Sequence, residues 1–246
     1  MNETVKRKLT GGFKNDTYKI TKDKIDFFYK EKKFDSFNHK INYDLITDFD
    51  FVPKLIYQDK KIYKSEWING NNPNLKDDDE LIQVANILKT IHNSKKKFPK
   101  SNHKKRVIKY FGELNKNKKG PKEVYKYFKK AKEISKKIKN VSPLHNDPWI
   151  NNLIKDKNKK IWLIDWEYAT MGDKHFDLAM FIDGSWLNKK QETIFLNEYN
   201  DYIPKQLKEM KFFVNYLTLV WMHSLEKLPF KDNEIIKKIK QLDKEI

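Results

Sequence analysis

The apolar residues of this chain change their period near residue 70, and that change limits the fold more than any other feature. Before it, short runs alternate apolar with polar. LTGGFKNDTYKI (residues 9–20) ends in Tyr18 and Ile20 after a paired glycine, KIDFFYK (24–30) follows, and residues 53–64 hold two further runs around Gln58-Asp59-Lys60. Alternation broken by turn residues predicts an antiparallel sheet. The stretch SEWINGNNPN (65–74) then marks a break, through its Gly, Asn and Pro residues. Beyond it, Leu81, Val84, Ala85, Leu88 and Ile91 recur at helical spacing behind Asp77, Asp78 and Asp79, which stand where a helix dipole favours acid. Gly120-Pro121 opens a second helix through Val124, Phe128, Ala131, Ile134 and Ile138, and residues 176–183 and 212–226 read as two more. The pattern predicts an α+β protein: a small β-rich N-terminal lobe over residues 1–68 and a larger, mainly helical lobe over 69–246.

A chain of 246 residues without cysteine can bury a sizeable core, and it has neither a disulfide framework nor a thiolate metal site. MNETVKRKLTGGF lacks the apolar stretch of a secretory signal. The most apolar window, Phe212 to Leu225, is shorter than the roughly 20 residues that cross a bilayer. A cytoplasmic protein is the expectation. The net charge of +18 raises the question of a nucleic-acid partner. Of the 52 basic residues, however, only Arg7 and Arg106 are arginines; the other 50 are lysines scattered along the chain. Lysine is the poorer residue for bidentate recognition of phosphate or guanine, and scattered charge is a solvated surface. No specific nucleic-acid partner is expected. A basic nucleic-acid-binding protein is the non-enzymatic alternative, and it would bind tightly with a steep dependence on salt.

The chemistry concentrates in HNDPWINNLIKDKNKKIWLIDWEYA, residues 145–169. Residues 152–155 and 160–164 flank the turn Asp156-Lys157-Asn158-Lys159 and predict a hairpin. Its outer ends meet, so the loop carrying His145, Asp147 and Asn152 lies beside Asp165. Two carboxylates and an amide carbonyl at one spot supply the hard oxygen ligands Mg²⁺ demands, with phosphates and water completing the octahedron. His-x-Asp, then Asn five positions on and Asp after a hairpin, is also the order of the protein-kinase catalytic and metal loops.

The arginine and phenylalanine of the protein-kinase version are absent. Instead, LHNDPWINN and LIDWEYA closely resemble choline and ethanolamine kinases, particularly the bacterial choline kinase-like enzymes, within the aminoglycoside phosphotransferase superfamily. GGFKNDTYKI resembles that family's phosphate-loop strand pair, VANILKTIHNS its helix after the hinge, and FDLAMFI the helix after its metal loop. The resemblance implies a two-lobed protein-kinase-like fold that transfers the γ-phosphate of MgATP to the hydroxyl of choline, giving phosphocholine. It implies that Asp147 accepts the hydroxyl proton, that Asn152 and Asp165 hold Mg²⁺ with Asn151 as second choice, and that His145 is scaffold. It further implies nucleotide contacts from Gly11, Gly12, Lys30 and the hinge Glu66 to Ile68. The acidic residue expected to hold Lys30 from the following helix is not evident, since SFNHKINYDLI offers only Asn42 near the place and Asp44 beyond it. A quaternary ammonium is recognised by aromatic faces and carboxylates, for which Glu167, Tyr168, Asp183, Trp186, Tyr216 and Trp221 are the candidates. Ethanolamine, thiamine or an aminoglycoside are alternative acceptors, and a kinase fold without catalysis is a further alternative.

Overall fold

A computed structural model describes residues 4–10 and 15–246. Five strands, β1 (Thr4–Lys8), β2 (Asp16–Lys22), β3 (Ile25–Glu31), β4 (Leu55–Gln58) and β5 (Ile62–Glu66), form an antiparallel sheet in the order β1-β2-β3-β5-β4. The expected sheet is present, with β1 lying ahead of the segment read as strand. Lys30 sits opposite Thr17 on one side and Tyr63 on the other, and is 4% exposed.

The segment between β3 and β4 departs from expectation. It contains a single 3-10 turn, Tyr43–Ile46, where a helix was expected to supply the acidic partner of Lys30. Asn42 caps that turn by accepting from the Asp44 N–H at 3.1 Å. The reason is local: Phe37, Ile41, Tyr43, Ile46, Phe49, Phe51 and Val52 are all buried, too dense a series for a one-sided helix. The segment drapes over the rest of the molecule, with the Phe51 carbonyl accepting from the Leu163 N–H at 2.9 Å and the Glu167 carbonyl from the His39 N–H at 2.7 Å.

A short strap, residues 67–69, leads to β6 (Gly70–Asn71), which is the far edge of a second sheet with β8 (Leu153–Asp156) and β9 (Ile161–Leu163) in the order β6-β8-β9. The predicted hairpin is therefore present and is what the strap docks on. β7 (Ser142–Leu144) and β10 (Thr170–Gly172) pair beside it. Among the described residues there are seven helices: α1 (Asp78–Asn93), α2 (His103–Lys116), α3 (Lys122–Lys137), α4 (His175–Gly184), α5 (Lys189–Tyr199), α6 (Pro204–His223) and α7 (Asn233–Glu245). Asp77 caps α1, its carboxylate accepting from the Asp79 N–H at 3.0 Å. The helices α2, α5 and α7 were not read from sequence, although α5 opens on a capping box of Asn188 and Gln191. The helix expected over 212–226 begins at Pro204, which suits the first helical turn because its missing N–H would have no partner there.

The helices share one core, in which Leu81, Val84, Ile91, Phe176, Phe181, Phe212 and Phe213 are essentially fully buried. Full burial of each such side chain contributes about 1.5–3 kcal/mol. Among the described residues no helix is long and apolar enough to cross a membrane.

Gly70 is where the strap meets this core. A Cβ there would fall 2.1 Å from the Lys155 carbonyl oxygen and 2.7 Å from Ile154, so the residue serves close backbone approach. Gly70→Ala should lower stability by about 1–3 kcal/mol as β6 is pushed off β8, which urea unfolding followed by circular dichroism would measure. A change under half a kilocalorie would mean the strap yields freely.

Candidate active site

The loop after β7 is held from below by Asp177, in the first turn of α4 and 0% exposed. Its Oδ2 accepts from the His145 N–H and its Oδ1 from the Asn146 N–H, both at 2.8 Å. His92 of α1 adds its Nε2 to Oδ2 at 3.1 Å, with its Nδ1 on the Tyr199 hydroxyl at 2.8 Å. A carboxylate buried this deeply needs all of these partners.

Asn146 has φ 69°, a left-handed conformation that asparagine tolerates better than most residues. Its Nδ2 donates to the Tyr168 carbonyl and to Thr170 Oγ1, each at 2.8 Å, and its Oδ1 accepts from His103 Nε2 at 2.8 Å. The neighbouring His145 donates Nε2–H to the Ile164 carbonyl at 2.9 Å and accepts the Asp147 N–H on Nδ1 at 3.2 Å. It joins the loop at 147 to the strand that ends before 165. Burial keeps its ring below the usual histidine range, so it is neutral, as that donor and acceptor pattern requires.

These contacts bring Asp147, Asn152, Asp165 and Lys30 together. Asn152 Nδ2 donates to the Asp147 carbonyl at 2.8 Å and to its Oδ2 at 3.0 Å, while the Asn152 carbonyl accepts the Ile164 N–H at 2.9 Å. Asp165 takes a left-handed backbone, φ 64°, at the head of the 3-10 turn Trp166–Tyr168, and its Oδ1 pairs with Lys30 Nζ. Loss of surrounding water, then the charge of Asp165, pushes the Asp147 carboxyl up to about 7; Arg106 and the Asn152 amide oppose that rise. Asp165 is held below the usual carboxylate range, because Lys30 outweighs its burial. Burial would lower the Lys30 ammonium, but Asp165 and Glu167 win and raise it.

The partners of Lys30 correct two expectations at once. Its second carboxylate is Glu167, at 3.3 Å and 4% exposed, which also receives Asn15 Nδ2 and lies 3.2 Å from His39 Nε2. Glu167 was expected to face the acceptor; two residues past Asp165 in the same tight turn, it is spent on Lys30 instead. Asn15 and His39 were not singled out in the sequence.

The other expected substrate residues do not form one cage. Tyr216 is 0% exposed and donates its hydroxyl to the Val124 carbonyl at 2.7 Å, so it packs α6 on α3 and leaves no face for a ligand. This corrects its placement in the pocket. Trp221 is partly buried against the core in the last turn of α6. Tyr168 carries the Arg106 guanidinium 4.9 Å over its ring, where a second cation would be repelled. Asp183 and Trp186 do share a neighbour: Lys238 Nζ stands 2.7 Å from Asp183 Oδ1 and 5.3 Å from the Trp186 ring centroid. Asp183 lies in the last turn of α4 and Trp186 just past its end, and this end touches the loop after Asp147, since Ser185 Oγ accepts from the Ile150 N–H at 2.9 Å.

On the nucleotide side, Glu66 ends β5 with its carboxylate on the Lys54 N–H at 2.8 Å, and Ile68 is half-buried in the strap. Gly11 and Gly12 lie outside the described residues. No group of three or more His, Asp or Glu arranged for a metal occurs among the described residues. The oxygens of Asn152 and Asp165 are nonetheless the hard donors that Mg²⁺ uses one or two at a time beside substrate phosphates, and Asp165 keeps 35% exposure of its side chain.

A profile described as Choline/ethanolamine kinase matches residues 12–245. The chain belongs to the choline/ethanolamine kinase family. It is a small-molecule kinase, a phosphotransferase acting on an alcohol, and its fold is the two-lobed kinase-like one. Among relatives, it is 40% identical to a protein LicA homolog of Mycoplasma capricolum subsp. capricolum over 96% of both chains. It is 44% identical to a LicA homolog of Metamycoplasma hominis over 91% of this chain and 92% of that one. Among solved structures, choline kinase LicA from Streptococcus pneumoniae superposes with a TM-score of 0.73 at 19% identity, covering 97% of this chain and 93% of that one.

His103 gives this kinase an acid-sensitive point. Burial first, then the Arg106 charge, lowers its ring to about 4, against roughly 6.5 in an unfolded chain. The unfolded chain therefore takes up a proton between pH 6.5 and 4 that the folded one refuses. The contribution of His103 to stability is complete above pH 6.5 and is lost as pH drops through that window, by up to about 3 kcal/mol. Urea titrations at pH 7 and 4.5 should show the loss, and His103→Gln should flatten it; equal slopes in both proteins would refute the assignment.

Proposed function

We propose that this kinase transfers the γ-phosphoryl group of MgATP to the hydroxyl of choline, giving phosphocholine. The observation that carries the reading is the convergence of Asp147 and Asn152 with Asp165 and Lys30 in a chain of this family. Asp147 accepts the proton of the acceptor hydroxyl and orients it toward the phosphate; a carboxyl pushed up to about 7 is well matched to that exchange near neutral pH. Asn152 and Asp165 hold Mg²⁺ through side-chain oxygens, and the ion, when bound, offsets the negative charge of the transferring phosphates. Lys30, now neutralised by two carboxylates, turns to the α- and β-phosphates when nucleotide enters. The strap from Glu66 to Ile68 contacts the nucleotide from the sheet side, and Gly11 and Gly12 are assigned to its phosphates.

The acceptor's ammonium goes to the end of α4. Asp183 and Trp186 already embrace a cation, the Lys238 ammonium, whose side chain is 26% exposed and can be displaced by a ligand. Trp221 is a second aromatic candidate. A primary ammonium ion-paired with Asp183, as Lys238 is, also favours ethanolamine as a second acceptor.

A coupled ADP-release assay over choline, ethanolamine, thiamine and an aminoglycoside should show choline with the highest kcat/KM. A protein inert toward choline but active on thiamine would end the choline reading. Asp147→Asn should lower kcat by about a thousandfold, and chelation of Mg²⁺ should abolish turnover. Trp186→Ala should raise KM for choline several-fold with KM for ATP unchanged; equal effects on both would remove Trp186 from the pocket.

A further inference from the structure

Arg106 is one of two arginines in a chain with 50 lysines, it is 9% exposed, and its role is not yet accounted for. It lies in the first turn of α2, one turn beyond His103, and i,i+3 neighbours share a helix face. His103 is bonded directly to Asn146, the residue before the catalytic Asp147. This anchor sets α2 beside the reacting centre, with the guanidinium over Tyr168.

The charge of Arg106 is badly compensated. Its Nε is a buried donor without a hydrogen-bond partner, and no ion pair to its guanidinium occurs among the described residues. A buried cation costs several kcal/mol unless an anion or a set of acceptors meets it, and one aromatic face returns only about 2. Lysine would fill the same space with an easily shed proton; guanidinium keeps its charge when buried and presents a planar fork matched to phosphate oxygens. The anion such a fork is shaped for, at this place in a kinase, is the group being transferred.

We propose that Arg106 is a catalytic residue of the phosphotransfer step, its guanidinium receiving the oxygens of the phosphoryl group as that group passes from nucleotide to acceptor. In that step the hydroxyl proton goes to Asp147, the hydroxyl oxygen's electron pair forms the new O–P bond, and the pair of the broken P–O bond leaves with ADP. Arg106 exchanges no proton and supplies positive charge where charge spreads over the equatorial oxygens. The inference rests on the kinase reading of the site and not on which alcohol is used.

Arg106→Met keeps the packing of the stem and removes the charged fork, and Arg106→Lys keeps a charge. Arg106→Met should lower kcat by about a hundredfold or more, leave KM for ATP and acceptor within about threefold, and regain activity with added methylguanidinium; Arg106→Lys should fall between. Independently of any acceptor, MgADP should bind both proteins alike, whereas the tightening by aluminium fluoride, a mimic of the phosphoryl group in flight, should be lost in Arg106→Met. Loss of that tightening in a chain whose parent phosphorylates no choline would sink the choline reading and leave Arg106 in its role. A kcat within threefold of the parent, undiminished tightening, or unfolding of both variants by circular dichroism would overturn the assignment.

Discussion

A single carboxylate shut off from water holds the candidate active site together. Asp177 takes the backbone N–H groups of residues 145 and 146 on its two oxygens and is itself braced by His92. Each bond is ordinary in length, but breaking one would strand a buried charge or donor, and that asymmetry makes the arrangement stiff. From the fixed loop, His145 reaches the strand before Asp165, and Asn146 reaches both the turn at Tyr168 and the first turn of α2. The proposed base, the proposed metal ligands and Arg106 are thus referenced to one anchor. Positioning of this kind is most of what phosphoryl transfer asks of a protein.

Charge balance explains the rest of the centre. Two carboxylates two residues apart, at 165 and 167, would repel each other in a site with little water, and the ammonium of Lys30 between them relieves this. Their protons respond in opposite directions: Asp165, against the cation, is held low, while burial and its neighbour's charge push Glu167 up. Asp147, without a cation in direct contact among the described residues, is driven to near neutrality.

Much of this was legible in the sequence where a residue's neighbours along the chain decide its surroundings. The hairpin after Asn152 forces residue 165 back to residue 147, so that convergence follows from local pairing. The period change at residue 70 likewise separates sheet from helices. What was illegible depends on contacts distant in the chain. Glu167 follows the metal-loop motif and invites a role toward substrate, but its surroundings come from Lys30, Asn15 and His39, more than a hundred residues earlier. Tyr216 has the composition of a cage residue and the burial of a core one. The helices α2 and α7 were hidden by lysine, which fills their exposed faces so heavily that the apolar stripes, Val107-Tyr110-Leu114 and Ile235-Ile239-Leu242, stand out only once they are seen to be buried.

The 3-10 turn that replaces a helix between β3 and β4 has one more consequence. A full helix there could swing as a body and carry an acidic residue toward or away from the strand lysine, which would let the enzyme be toggled by a partner leaning on it. Here the carboxylates that neutralise Lys30 sit in and at the head of the 3-10 turn Trp166–Tyr168, one of them the proposed metal ligand itself. Under the role proposed for Lys30, nucleotide must compete with the protein's own carboxylates for the same ammonium. On that reading the resting enzyme withholds the very charge its substrate needs, and whatever strengthens that clasp weakens affinity for ATP by the same free energy.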